Sequence, residues 1–337
     1  MIPLPPRIVR RLVLSPLVFI LAVTIVAASS VAILAAFVGD LFLRGSWQAV
    51  RLVTLGVVFA ALEAVVLLAL FLLWIASGFG VALRSPSLQS AHYLLARLWL
   101  TGLAGAAVRL LQLRIDVEDR PEPRAGPVLV FCRHAGPGDS ILLAHTLLSG
   151  FGRRPRIVMK AALQWDPAID VLGNRLPCAF IRPHSEDPRH HLHAIERLSQ
   201  GLGDRDALVL FPEGGNFTER RRLAAIASLK RKGFEEEAGL AEKMLTVLAP
   251  RPGGALAAIR TAPEADVVFV AHTGLEFMNS LVATWRILPL DGPILARYWR
   301  LPPAEIPSDR EAQVDWLFAW WGRVDEWIRS RRPDLRL

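Results

Sequence analysis

The chain opens on two long apolar runs and then changes period. Leu12 to Val38 passes 27 residues without a charge, and Leu52 to Leu83 is interrupted only at Glu63. At about 1.5 Å per residue the first run makes roughly 40 Å of helix, enough to cross a bilayer with some tilt. A cleavable leader has a shorter apolar core, about 7–15 residues, so the pattern predicts an anchor. The polar stretch 39–51, with Asp40, Arg44 and Arg51, separates the runs. Together they predict a transmembrane helical hairpin, with two helices dipping into one leaflet as the alternative. A carboxylate in a span costs roughly 2–3 kcal/mol on insertion scales. Glu63 is therefore expected to face the partner helix or stay protonated rather than serve as a proton site. Residues 88–114 interleave Leu94, Leu95, Leu98, Trp99, Leu103 and Leu110 with Arg97, Arg109 and Arg114. That is an amphipathic helix, suited to the membrane interface or to packing on a folded core.

Further on, short β-favouring runs alternate with helical ones, the pattern of an α/β domain. Val128–Cys132, Arg156–Lys160, Cys178–Ile181 and Ala207–Phe211 read as strands. A helix is expected from Asp187-Pro188 to about Leu198, and another over 308–332, where Trp316, Trp320, Trp321 and Trp327 fall at helical spacing and imply packing. The organisation expected is a membrane anchor, residues 1–84, and an α/β domain with a mixed sheet flanked by helices, residues 85–337.

Composition supports the membrane segments, since 53% of residues are hydrophobic and the mean hydropathy is +0.36. A net charge of +8 favours anionic partners: lipid head groups, nucleic acid or a nucleotide carrier. Arg7, Arg10, Arg11 and Arg84 flank the two runs, against Arg44 and Arg51 between them. The bias places both termini in the cytosol, in an integral, multi-pass protein of the inner or plasma membrane. Cys132 and Cys178 lie in apolar runs, with no disulfide framework or metal spacing. His190, His191 and His193 cluster without a carboxylate or Cys at a supporting spacing, so no metal is expected.

Two stretches carry candidate chemistry. Residues 128–140, V-L-V-F-C-R-H-A-G-P-G-D-S, run from a strand through a Gly-Pro-Gly break into a helix. His134 falls at the strand's end and Asp139 at the helix N-terminus, where a carboxylate caps free N–H groups. On a continuous helix, residues five apart point about 140° away from each other. The turn removes that constraint and lets the carboxylate fold back onto the imidazole, fixing its tautomer for proton abstraction. Spacing alone leaves open a loop histidine beside an unrelated cap. The second stretch, 207–218, is A-L-V-L-F-P-E-G-G-N-F-T, a strand ending in two glycines that admit an anion to the backbone. Arg220-Arg221-Arg222 and Lys230-Arg231-Lys232 follow.

Together the stretches resemble the glycerolipid acyltransferases that include 1-acylglycerol-3-phosphate acyltransferases. The signatures are H-x-x-x-x-D (His134, Asp139) and F-P-E-G (Phe211, Pro212, Glu213, Gly214), supported by Phe180-Ile181-Arg182 and by Val267 to Gly274. With Leu248-Ala249-Pro250-Arg251, the sequence looks most like the branch holding lysocardiolipin and lysophosphatidic acid acyltransferases. The resemblance covers roughly 110–300. It implies an α/β acyltransferase domain with His134 and Asp139 catalytic, and with Arg182, Phe211 to Gly215 and Arg220 at the substrate. It also implies a lysophospholipid acceptor, acyl-CoA or acyl carrier protein as donor, and no further cofactor. Glu213 is acidic, so it is expected to orient basic groups or a glycerol hydroxyl. The family usually has Thr where Gly215 stands, which leaves open another lysophospholipid or a glycolipid as acceptor. A catalytically silent lipid-binding scaffold is the alternative from a different class, disfavoured by an intact His134 and Asp139.

Overall fold

The computed structural model describes residues 4–43, 47–119, 124–182, 188–276, 278, 281–288 and 292–332. The first apolar run is a nearly unbroken rod: α1 (Arg7–Val9), a π-helical turn (Arg10–Leu14), α2 (Ser15–Ala27) and α3 (Ser29–Leu43). The second is α4 (Gln48–Ala76), which packs back along α2 and α3 to make the expected hairpin. Both Arg7–Ala27 and α4 are long and apolar enough, by length and composition, to cross a membrane. Ile20, Leu21, Val31, Leu34, Phe71 and Leu72 are exposed on their outer faces. α5 (Pro86–Leu110) is the amphipathic stretch, and it packs against α4 and the α/β half, burying Tyr93, Ala96 and Trp99.

A seven-stranded sheet forms the rest: β1 (Ile115–Glu118), β2 (Val128–Cys132), β3 (Arg154–Lys160), β4 (Ala179–Ile181), β5 (Asp206–Leu210), β6 (Asp266–Thr273) and β7 (Ile294–Leu301). The order is β1-β7-β6-β2-β5-β3-β4. β2 to β6 run parallel, while β7 is antiparallel to β6 and parallel to β1, so the sheet is mixed as expected. The C-terminal ends of the five parallel strands therefore line one edge. That is where ligands sit in an open α/β sheet.

The helices of this half are α6 (Pro137–His145), α7 (Pro167–Arg175), α8 (Pro188–Ser199), α9 (Glu219–Arg231), α10 (Glu235–Lys243), α11 (Pro252–Thr261), α12 (Leu281–Ile287) and α13 (Arg310–Arg331). All five residues of β2 are buried, so this strand is covered on both faces. Leu129 and Phe131 pack with Leu208, Phe269 and Trp321 on one face, while Val128, Val130 and Cys132 pack with Leu143 and Leu147 on the other. The tryptophans of α13 are core: Trp320 stacks on Phe269 at 5.2 Å and 9°. Trp321 is fully buried.

The hairpin is bolted to the α/β half, and this corrects one of the two places expected for Glu63. Glu63 does not face its partner helix; Oε1 accepts the Ala168 N–H (3.2 Å) in the first turn of α7. Those first-turn N–H groups have no partner within their own helix, and a carboxylate suits them. Arg10 and Arg11 each pair with Asp170 of α7 at 2.9 Å, and Gln164 and Asn174 donate to the same carboxylate. These two arginines are thus held by the protein and do not report orientation. The polar stretch 39–51, expected across the membrane from everything after Arg84, lies beside contacts with that half. Gln48 donates to the Leu288 carbonyl (2.8 Å), Arg51 to that of Leu110 (3.2 Å), and Arg175 to that of Leu70 (2.8 Å). α4 touches the α/β half near both of its ends.

Candidate active site

The site begins where β2 ends. The Arg133 N–H still donates to the Val270 carbonyl (3.1 Å), continuing the ladder with β6. The chain then leaves the sheet and turns at Gly136 into α6. Asp139, in that helix's first turn, folds its carboxylate back over the turn. Oδ2 accepts from His134 Nδ1 (2.9 Å), the Ala135 N–H (2.7 Å) and the Gly136 N–H (3.0 Å), and Oδ1 from the Ser140 hydroxyl (3.1 Å). Reaching back to backbone N–H groups from the third helical position is half of a capping box. Here it also brings the carboxylate to the imidazole, as the sequence led us to expect. Burial pushes the Asp139 carboxyl up, but the hydrogen bond and charge of His134, helped by His272 and the Gly136 N–H, leave it below the usual carboxylate range. A carboxylate on Nδ1 places the ring proton there and leaves the Nε2 lone pair free to act as a base. The Phe211 ring lies against the imidazole, with centroids 4.5 Å apart.

Glu213 plays a different part from the one expected. It is 1% exposed and touches neither a basic side chain of the rim nor open space. Its Oε1 accepts the His134 N–H (2.9 Å) and its Oε2 the Leu248 N–H (3.0 Å). Burial pushes the carboxyl up to about 8, against the opposing charge of Arg133 and those two N–H bonds. The Phe217 N–H donates to the His134 carbonyl (3.0 Å), so His134 is gripped through both its backbone groups. The F-P-E-G stretch thus works inward through Phe211 and Glu213. Buried Pro212 offers its carbonyl to the Arg251 N–H (2.9 Å). Gly214 closes the turn onto the Phe211 carbonyl (3.0 Å) with φ of +69°, a conformation that favours glycine.

The expected cations are sorted by the fold. Arg182 follows β4 at the sheet's edge, exposed and three strands from β2, which is roughly 14 Å at ordinary strand spacing. It shares the site's edge without reaching the His134–Asp139 pair. The acidic residues Glu186 and Asp187, a candidate pairing for it, lie outside the described residues. Arg220 is exposed on α9. Arg222 turns away to the Met244 and Glu242 carbonyls and the Glu219 carboxylate. Arg221 is the member of the triplet that faces the glycine turn. Lys160, which closes β3, was not singled out in the sequence. Burial and then the charge of Arg221 lower its pKa, while Asp139 pulls the other way, so it stands within electrostatic reach of both. Its signal was faint: one lysine ending an apolar strand.

A buried support behind the pair was also missed. The Arg133 guanidinium, wholly buried, donates to the carbonyls of His272 (2.8 Å) and Thr246 (2.9 Å) and to Glu276 (3.3 Å). His272 gives its Nε2 proton to the Arg133 carbonyl (3.0 Å), and the same nitrogen lies 3.9 Å from Asp139. Burial, then the Arg133 charge, lower the pKa of this ring, so it is a neutral strut rather than a second base. A cavity of about 250 Å³ lies elsewhere, lined by Val128, Val130, Leu143, Leu147 and Tyr298 near the opposite ends of the strands.

Comparison with known proteins gives a family match over this region. Residues 114–270 match the Acyltransferase family. Among solved structures, a 1-acyl-sn-glycerophosphate (LPA) acyltransferase, PlsC, from Thermotoga maritima aligns with a TM-score of 0.46 at 15% identity. The alignment covers 86% of this chain and 98% of that one. No curated protein matches. The family match runs from the residue before β1 into β6 and takes in His134, Asp139 and the whole F-P-E-G-G turn. It is this stretch, a little under half of the chain, that is similar to the Acyltransferase family.

Proposed function

We propose that the protein moves a fatty acyl group from an acyl thioester to the free hydroxyl of 1-acylglycerol-3-phosphate. The observation that carries the reading is a His134–Asp139 pair of 2.9 Å on a cation-rich strand edge. A thioester carbonyl is already activated, so the acceptor's hydroxyl is what needs help. His134 Nε2 takes the hydroxyl proton as the oxygen attacks the acyl carbon. The C–O bond forms, the C–S bond breaks, and the departing thiolate collects the proton from the imidazolium. Asp139 holds the ring and balances its transient charge. No acyl-enzyme is required. Acyl-CoA or acyl carrier protein supplies the group, and the proton balance closes without another cofactor. Full-length protein in detergent, given labelled acyl donors and a panel of lyso-acceptors, should label 1-acylglycerol-3-phosphate first. Transfer to none of them defeats the reading. Transfer confined to a zwitterionic lysophospholipid or a glycolipid moves the acceptor and keeps the chemistry.

We further infer that residues 1–84 embed in one leaflet and residues 85–337 form the catalytic domain on its surface, on the cytosolic side, where the thioester is found. The contacts of Gln48 with Leu288 and of Leu70 with Arg175, near the two ends of α4, support that arrangement. Ser46→Cys and Ser308→Cys, each made in a background lacking Cys132 and Cys178, should react with an impermeant maleimide from the same side of sealed vesicles. Labelling from opposite sides restores the spanning hairpin.

A further inference from the structure

The Arg133 carbonyl and the His134 N–H are the two ends of one rigid peptide plane, and buried side chains hold both. Glu213 Oε1 accepts the N–H (2.9 Å). His272 Nε2 donates to the carbonyl (3.0 Å), which the Cys132 thiol, a weaker donor, also reaches at 3.2 Å. Glu213 follows β5 and His272 belongs to β6, the two strands that flank β2. The plane from which the His134 side chain springs is thus fixed from both sides. Residues 133 and 272 also bond reciprocally, since the Arg133 guanidinium donates to the His272 carbonyl (2.8 Å).

The second ring nitrogen shows what a histidine supplies here. With Nε2 donating, Nδ1 is a buried acceptor that no donor meets among the described residues, in a residue 5% exposed. A buried polar atom left alone is destabilising, and phenylalanine or leucine would fill the space without one. Packing therefore does not account for histidine at this position, whereas the bond to the Arg133 carbonyl does. The same Nε2 lies 3.9 Å from Asp139 Oδ2, the oxygen that bonds the His134 ring. One imidazole thus grips the peptide that precedes the base and stands beside the carboxylate that orients it.

We propose that His272 is a positioning residue for acyl transfer, fixing through the Arg133–His134 peptide the line on which His134 Nε2 meets the acceptor hydroxyl. The inference goes beyond the acyl-transfer reading and rests on it. His272 lies outside both the H-x-x-x-x-D and the F-P-E-G signatures. Its leverage is geometric: the reacting nitrogen is at the far end of the His134 ring, so a small rotation of the peptide is magnified there. A displacement of about 1 Å at a reacting atom costs roughly 10²-fold in rate. The His272 ring exchanges no proton, because burial and then the Arg133 charge keep it neutral.

The test uses full-length protein in detergent. His272→Gln keeps a donor as far from the backbone as Nε2, cannot titrate, and should turn over close to the wild-type rate. His272→Asn carries the same amide one bond short, and His272→Phe fills the space without a donor. Each of these two should lower kcat by about 10–10²-fold and leave KM for donor and acceptor unchanged. His92→Phe, the same change at a histidine buried in α5, should lower the melting temperature and leave kcat alone. If His272→Gln is as slow as His272→Phe, positioning through the donated bond is overturned. It is equally overturned if folded His272→Asn and His272→Phe turn over like wild type. Should His272→Phe fail to fold, the Gln and Asn variants decide alone, being one chemistry at two lengths. If wild type transfers no acyl group at all, the acyl-transfer reading fails, and amide exchange over 131–136 decides the grip. Exchange there should quicken in His272→Asn and not in His272→Gln; equal exchange in both overturns it.

Discussion

His134→Ala should lower acyl transfer by about 10²–10⁴ while leaving the melting temperature close to that of wild type. The reason for the split lies in how the residue is held. Its backbone N–H and carbonyl carry the structural load, bonded to Glu213 and Phe217, and alanine keeps both. The side chain is 13% exposed and gives the fold a contact with Phe211 and one bond to Asp139. Asp139 retains the Ala135 and Gly136 N–H groups and the Ser140 hydroxyl without it, so its buried carboxylate is not orphaned. Turnover near the wild-type rate in purified His134→Ala would dismiss this residue as the base.

The sequence exposes what is local and conceals what is assembled. His134 and Asp139 were legible because a strand, a Gly-Pro-Gly break and a helix start lie within a dozen residues, and the break permits a fold-back. Four of the five parallel strands were legible from their apolar runs, and β6 from the resemblance. β7 was not, because Arg297, Tyr298, Trp299 and Arg300 give it no apolar stretch; its place comes from pairing with β6 along Val267 to Thr273. The triplet Arg220-Arg221-Arg222 could not be resolved from composition, since only helical phase and the position of Gly215 decide which member turns inward. Glu213 was misassigned for a related reason. An acidic residue in a motif suggests contact with substrate, but its partners are N–H groups at His134 and Leu248, which no local pattern announces. Charge counting could not know that Asp170 holds Arg10 and Arg11.

Arg133→Met is expected to be the most destabilising single change near the site, costing about 3–5 kcal/mol. An arginine at a strand end looks like a surface residue, yet this one is 0% exposed. It satisfies two buried carbonyls and a carboxylate, from segments more than a hundred residues away in sequence. Methionine fills much of the volume but leaves those acceptors without a donor. Burial pushes the Glu276 carboxyl up, and the charge of Arg133, with the Thr273 hydroxyl and other N–H donors, brings it below its ordinary value. In wild type the pair therefore contributes stability that is present above the unfolded carboxyl pKa and is lost as pH falls through the lower, folded one. In Arg133→Met the burial effect is unopposed by that charge, so the Glu276 pKa rises and the sign reverses. The variant should close part of its deficit as the pH is lowered from about 8 to about 5. Arg133→Met combined with Glu276→Gln should recover part of the loss at neutral pH and no longer show that acid recovery. Thermal melts of the three proteins across this range decide the matter. A single variant that melts like wild type, or whose deficit is the same at both ends of the range, would show that the buried guanidinium does not hold Glu276 in its charged form.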